Sequence, residues 1–127
     1  MVLPASMRLK GHRPFELLHR SGIRFHGPNM ILRVVPAQSK LLRASNKNNP
    51  SKSVRCAVAI SSKVSKRSVV RNKLRRLFHD HLKLRLCNTK DLSSQWALIS
   101  LKPNASNQQP EPLLKECDKL LFDSGLL

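Results

Sequence analysis

Residues 61–86 read SSKVSKRSVVRNKLRRLFHDHLKLRL. Between Lys63 and Arg76 this stretch carries Lys63, Lys66, Arg67, Arg71, Lys73, Arg75 and Arg76, and the first acid is Asp80. Either Ser65 or Ser68 can cap a helix N-terminus with its hydroxyl, and no Gly or Pro interrupts the run that follows. At about 100° per residue, Val70, Leu74, Leu77, Phe78, His81, Leu84 and Arg85 fall on one side of that helix. Arg71 and Arg75 stand at the margin of that side, with Arg76 and Lys83 behind it. The pattern predicts a helix that packs one side on a core and projects cations from the other. An ordinary solvated face mixes charge signs. Like charges three and four residues apart disfavour an isolated helix by roughly 0.2–0.5 kcal/mol per pair, and here no acid relieves them. A partner that supplies negative charge is the simplest account.

Composition narrows that partner. The chain has 127 residues, enough for one domain with a real core, and 40% of them are hydrophobic. Its formal net charge is +17, from 24 basic and 7 acidic residues. Such an excess points to nucleic acid first and to an anionic membrane second. Four Phe, one Trp and no Tyr leave few stacking platforms, which argues against an aromatic-groove binder of single strands. Cys56, Cys87 and Cys117 are far apart and form no CxxC or CxxH pair, so no zinc site is expected. Their odd number, with no signal peptide, points to reduced thiols in the cytoplasm. No apolar stretch approaches the roughly 20 residues that span a bilayer.

The flanking segments are predicted in order. Arg13 to Arg20 forms a short helix, with Pro14 in its first turn, Phe15, Leu18 and His19 on one side and Gly22 as its stop. Residues 23–28 form a basic bend or edge, and pairing can begin at Arg24 and Phe25. Asn29 to Val35 is a strand closed by Pro36, and residues 38–53 form an exposed, mobile loop. Val54 to Ile60 is a mostly apolar, central strand, and Gln95 to Leu101 is another. Strand, long helix and strand make a β-α-β unit, so these two strands can be parallel. Residues 104–112 read as a polar linker, and Leu113 to Leu121 as a terminal amphipathic helix with Glu111 and Glu116 near its start. The expectation is an α+β fold in one domain over 1–127, with helices covering one side of a small mixed sheet.

Val64 to Leu77, VSKRSVVRNKLRRL, resembles the signature of the protein subunit of bacterial ribonuclease P, with Arg71-Asn72-Lys73-Leu74-Arg75-Arg76 in the place of its Arg-Asn-Arg-x-Lys/Arg-Arg pattern. Arg8-Leu9-Lys10, Phe15 and Gly22 resemble the start of the family, residues 54–58 its strand before the signature, and residues 97–103 its last strand and closing Lys-Pro. The resemblance implies a two-layer α/β sandwich with a four-stranded mixed sheet, ribosomal protein S5 domain 2-like, with a left-handed β-α-β crossover against the usual hand. It implies that the protein joins a catalytic RNA, which holds the Mg²⁺ ions and hydrolyses precursor tRNA to remove the 5′ leader. RNA binding would fall to Lys63, Lys66, Arg67, Arg71, Asn72, Lys73, Arg75 and Arg76. The single-stranded leader would lie in a cleft between the first helix and the sheet, at Phe15, His19 and Arg33. Two departures stand out. Lys73 keeps the charge of the arginine it replaces but loses the bidentate fork. The cleft keeps only Phe15 of the aromatics that family members often carry at these positions, although histidine and arginine can also stack or hold phosphate.

No protein-borne chemistry is expected. His79 and His81 lie about 200° apart on a helix and cannot share an ion. His81 falls on the packed side as a half-buried histidine, and His79 reads as solvated. There is no nucleophile motif, phosphate loop or paired carboxylate. The alternative reading is a structural RNA-binding protein of the ribosomal type, against which the ordered signature between two strands argues. A DNA-binding module lacks a helix-turn-helix pair or zipper beside the basic helix. A membrane-surface helix would need the apolar side that the core requires.

Overall fold

In the computed structural model, residues 9, 12–36, 55–86 and 95–126 are described. The elements are α1 (His12–Ser21), β1 (Ile23–His26), β2 (Met30–Pro36), β3 (Arg55–Ala59), α2 (Ser68–Leu86), β4 (Gln95–Leu101), a 3₁₀ turn (Pro103–Asn107) and α3 (Pro110–Asp123). The strands form one mixed sheet in the order β1-β2-β4-β3. β1 and β2 pair antiparallel, β2 and β4 antiparallel, and β3 and β4 parallel. The basic bend is thus the edge strand β1, and the β-α-β unit is present as read. The loop at 38–53 lies outside the described residues.

Period-two alternation distributes the strand side chains over two cores. Met30, Leu32 and Val34, Cys56 and Val58, and Ala97, Ile99 and Leu101 face the larger one, with α2 and α3. Val35, Ala57, Trp96 and Leu98 face the smaller one, with Leu9, Leu17 and Leu18. The expectation that the helices share one side of the sheet is therefore corrected: α1 covers the face opposite α2 and α3. Trp96 and Leu98 are buried to 1% and 0% exposure on that second face and require a cover, which Leu17 and Leu18 supply. Leu9 also donates its N–H to the carbonyl of Cys56 at 3.1 Å and so occupies part of the free edge of β3.

α2 is rotated relative to its sequence pattern. Phe78, Leu82 and Leu86 are its buried residues, an i, i+4, i+8 ridge that packs mainly on β3. Leu84, assigned to the packed side from the sequence, is 74% exposed. The buried stripe lies about a quarter turn from the one the apolar pattern selects. Two apolar sides compete on this helix, and the sheet takes the ridge holding Phe78. His81 then faces α3, where its Nε2 lies 2.7 Å from Asp118 Oδ1, while Arg85 Nη2 donates to Asp118 Oδ2 at 3.0 Å. His79 is half-buried rather than solvated.

The stretch read as a polar linker is ordered. Pro103 starts the 3₁₀ turn, which buries Ala105 completely, and Pro110 opens α3 where a missing N–H costs nothing. α3 buries Leu113, Cys117, Leu120 and Leu121. At its end Gly125 takes φ +84°, Leu126 N donates to Leu121 O at 3.0 Å and Gly125 N to Phe122 O at 3.1 Å. This is a Schellman closure, and it folds Leu126 into the core. α3 also holds the β1–β2 turn. Asn29 donates its backbone N–H and its Nδ2 to the two carboxylate oxygens of Glu116, each at 2.9 Å. Gly27 leaves room for that carboxylate, because a Cβ there would lie 2.5 Å from Glu116 Oε2. Lys102 Nζ donates to Gly27 O at 2.8 Å from the other side.

Cys56 and Cys117 are buried free thiols in the larger core, and burial pushes both up to about 12. Their contribution to stability is complete below pH 9, where the unfolded thiols are also neutral, and is lost as pH rises from 9 towards 12. In the native protein at pH 8, a thiol reagent is expected to label at most one of the three cysteines, and all three after unfolding. Labelling of Cys56 or Cys117 without unfolding would contradict this burial. The rotation of α2 is tested by truncation: Leu82→Ala is expected to cost about 2–5 kcal/mol and Leu84→Ala less than about 0.5 kcal/mol in denaturant unfolding. The reverse order would restore the register read from the sequence.

Candidate RNA interface

The cations before α2 are held by a tight backbone. Val64 N donates to Ser61 O at 3.1 Å, and the Ser61 hydroxyl accepts from Lys63 N at 3.3 Å. Val64 is buried to 4% exposure and pins this turn to the larger core. Ser65 Oγ accepts from Arg67 N at 3.2 Å. Arg67 supplies the first helical carbonyl, accepting from Arg71 N at 3.1 Å, so Ser68 is the first residue of α2 and neither serine caps it as expected. Ser65 instead shapes the turn before the helix, the local use of a hydroxyl that competes with capping.

The arginines on the inner side are also fixed. Arg71 Nη1 donates to Ser65 O at 2.7 Å and ties the helix back to the turn. Arg75 Nη1 donates to Asn72 Oδ1 at 2.8 Å. Both arginines are half-buried and lie on the stripe that becomes Phe78 and Leu82 one turn later. The inner side of α2 is thus cationic in its first half and apolar in its second. Lys63, Lys66, Arg67, Asn72, Lys73 and Arg76 are exposed. The structure gathers all eight predicted RNA-binding residues on one continuous turn and helix. Asp118 holds α2 at its other end, against His81 and Arg85.

The predicted cleft is on the α1 face. Phe15 is half-buried against the smaller core, and His19 is exposed one turn further on, with Nδ1 2.9 Å from Phe15 O. Arg33 faces the same side, since it pairs with Leu98 across β2 and β4. α1 covers the half of this face carrying Val35, Trp96 and Ala57. The other half, with Ile31, Arg33, Ala59 and Ser100, stays partly exposed. Arg33 Nη1 donates to Ser100 Oγ at 3.2 Å, while its Nε is buried with no hydrogen-bond partner. An unpaired buried donor costs about 1–3 kcal/mol. Burial, and secondly the charge of Arg24, hold the Arg33 guanidinium below its ordinary value. Burial does the same to Arg55. Arg24 is directly opposite Arg33 in the β1–β2 ladder. The sequence reading missed Arg24 and Ser100 as cleft residues; counting back from the turn at 27–29 would have found Arg24, but Ser100 needs the non-local pairing of β2 with β4.

Among the described residues, no three of His, Cys, Asp and Glu gather where they could hold a metal ion. None of the described helices is long and apolar enough to cross a membrane. Fold and surface together define a polyanion-binding α+β protein whose cations sit on an ordered turn and helix.

The comparisons narrow that class. The model of the family Ribonuclease P matches residues 3–124. The ribonuclease P protein component of Parasynechococcus marenigrum strain WH8102 is 56% identical over 126 residues, which cover 99% of this chain and 98% of the relative. That of Prochlorococcus marinus strain MIT 9313 is 57% identical over 127 residues, 100% of this chain and 99% of the relative. The fold is that of the Staphylococcus aureus RNase P protein, with a TM-score of 0.73 at 13% identity, covering 94% of this chain and 96% of that one. The chain belongs to the ribonuclease P protein family.

The two kinds of cation are separable. Lys73→Ala and Arg76→Ala are expected to weaken RNA binding and each to reduce the log–log salt slope by roughly 0.7–0.9, with unfolding changed by less than about 0.5 kcal/mol. Arg71→Ala is expected to lower RNA affinity and also to destabilise by about 1 kcal/mol, because Ser65 O loses its donor. Equal stability of all three variants would show that the Arg71 tie contributes nothing.

Proposed function

We propose that this chain works as the protein subunit of ribonuclease P, binding the catalytic RNA along residues 63–76 and the 5′ leader of precursor tRNA in the α1 cleft. The observation that carries the reading is the acid-free cationic first half of α2, held rigid by Ser65, Asn72 and Val64, in a chain of this family. A prefolded array loses little conformational entropy on binding, so its charge is converted to affinity rather than to ordering.

The protein's contribution is positioning and charge. Lys63, Lys66, Arg67, Lys73 and Arg76 neutralise phosphates where catalytic RNA and substrate crowd together, and Arg71 and Arg75 hold the presenting surface. Phe15 and His19 offer ring faces at the cleft, and Arg33 a guanidinium. Contacts to the leader are absent from the mature product, so they favour precursor binding and product release. Mg²⁺, held by the RNA, would supply the activated water and stabilise the departing oxygen. In this reading the protein is part of an endoribonuclease of the cytoplasm without itself holding a catalytic residue.

The test is reconstitution with the matching ribonuclease P RNA at low Mg²⁺. Added protein is expected to restore 5′ cleavage of precursor tRNA, and Arg71→Ala/Arg75→Ala to abolish the rescue. Six to eight phosphate contacts give a log–log salt slope of roughly −4 to −7 for binding. Tight RNA binding without rescue would favour the structural RNA-binding reading instead.

A further inference from the structure

The open half of the α1 face carries a second group of cations, separate from the signature helix. Arg24 and Arg33 stand side by side on β1 and β2, with His26 exposed on the same face one pleat further along. Like charges directly opposite each other in a ladder are unfavourable. The charged neighbour that acts on Arg33 is Arg24 and not a carboxylate. Two constraints prevent Arg33 from swinging away. Gly22 closes over its base, since a Cβ at Gly22 would lie 3.3 Å from Arg33 Cβ. Ser100 holds its Nη1 across the sheet at 3.2 Å. The Nε donor stays unpaired between these restraints.

We infer that Arg33, fixed by Ser100 and reinforced by Arg24, seats a phosphodiester group of the RNA strand in the α1 cleft, so that the cleft grips backbone charge at the place where the strand would otherwise be stacked. The inference rests on the reading of this cleft as the site of the 5′ leader. An anion satisfies two features at once: the paired cations and the half-open face. Guanidinium and phosphate match through parallel N–H donors, which a base face does not use. The position of the seat also makes a continuous track. Ser100 pairs with Ala59 at the end of β3, and the chain runs from there directly into Ser61 and Lys63. A strand bound at Arg33 therefore lies beside the turn that presents Lys63 and Lys66. A phosphate seat is indifferent to base identity, so leader sequence should matter little at this nucleotide.

The experiment uses the reconstituted holoenzyme and precursor tRNAs in which one leader linkage at a time is a neutral methylphosphonate. For the unaltered protein, one linkage is expected to weaken precursor binding about tenfold, as the loss of one charge-assisted contact does. With Arg33→Gln the same linkage is expected to make no difference, while phosphate precursor binds about tenfold more weakly and the salt slope falls by roughly 0.7. Arg24→Gln, an exposed edge position, should reduce the same linkage effect in part and serves if Arg33→Gln fails to fold. If precursor is preferred over mature tRNA but no linkage couples to Arg33 or Arg24, the cleft reading stands and the phosphate seat is overturned. Sensitivity to an abasic leader nucleotide, lost in Arg33→Gln, with a flat methylphosphonate scan would replace it with stacking. No preference for precursor over mature tRNA would remove the leader reading and the seat with it.

Discussion

Burial of the Phe78–Leu82–Leu86 ridge on the sheet holds α2 in place, and the cationic surface depends on it. The first half of that helix repels itself through pairs such as Arg71 with Arg75 and Lys73 with Arg76. Each like-charged pair costs roughly 0.2–0.5 kcal/mol, whereas each fully buried Phe or Leu contributes roughly 1.5–3 kcal/mol. Three buried side chains outweigh the repulsion with room to spare. The helix can therefore stay folded without RNA, its excess positive charge intact.

Most of the acids lie away from this charge in the chain. Of the seven acids, Glu111, Glu116, Asp118 and Asp123 are all in α3. Glu116 grips Asn29 and thereby the β1–β2 hairpin, while Asp118 grips His81 and Arg85 at the far end of α2. These two acids serve as internal fastening, and the fastening orients the elements that carry the positive charge. The hairpin held by Glu116 brings Arg24 opposite Arg33; the helix held by Asp118 carries the signature at its other end.

The cleft is a consequence of incomplete cover. α1 has ten residues, enough to shield Trp96, Leu98, Ala57 and Val35 but not the rest of the face. What remains open has to be compatible with water or with a ligand, and beside Ile31 it carries Arg33, Ser100 and the small Ala59. The shape of this groove follows from the length of one short helix and the polarity of the strand positions beyond it.

The sequence by itself determined the class of partner, because net charge and an acid-free basic run are properties of composition and local order. It also determined β4 residue for residue and the existence of α2, since strong periodicity and nearby breakers are local signals, and it allowed the parallel pairing of β3 with β4. The tertiary structure alone decided which side of α2 is buried: Leu82 and Leu84 are chemically identical, and only the sheet distinguishes them. It alone put α1 on the face opposite the other helices, because Trp96 and Ala97 are both apolar and either face could have been covered first. It also turned the polar stretch after Lys102 into a 3₁₀ turn that buries Ala105 and leads into α3. These choices rest on contacts between residues distant in the chain, and periodicity carries no information about the distant partner.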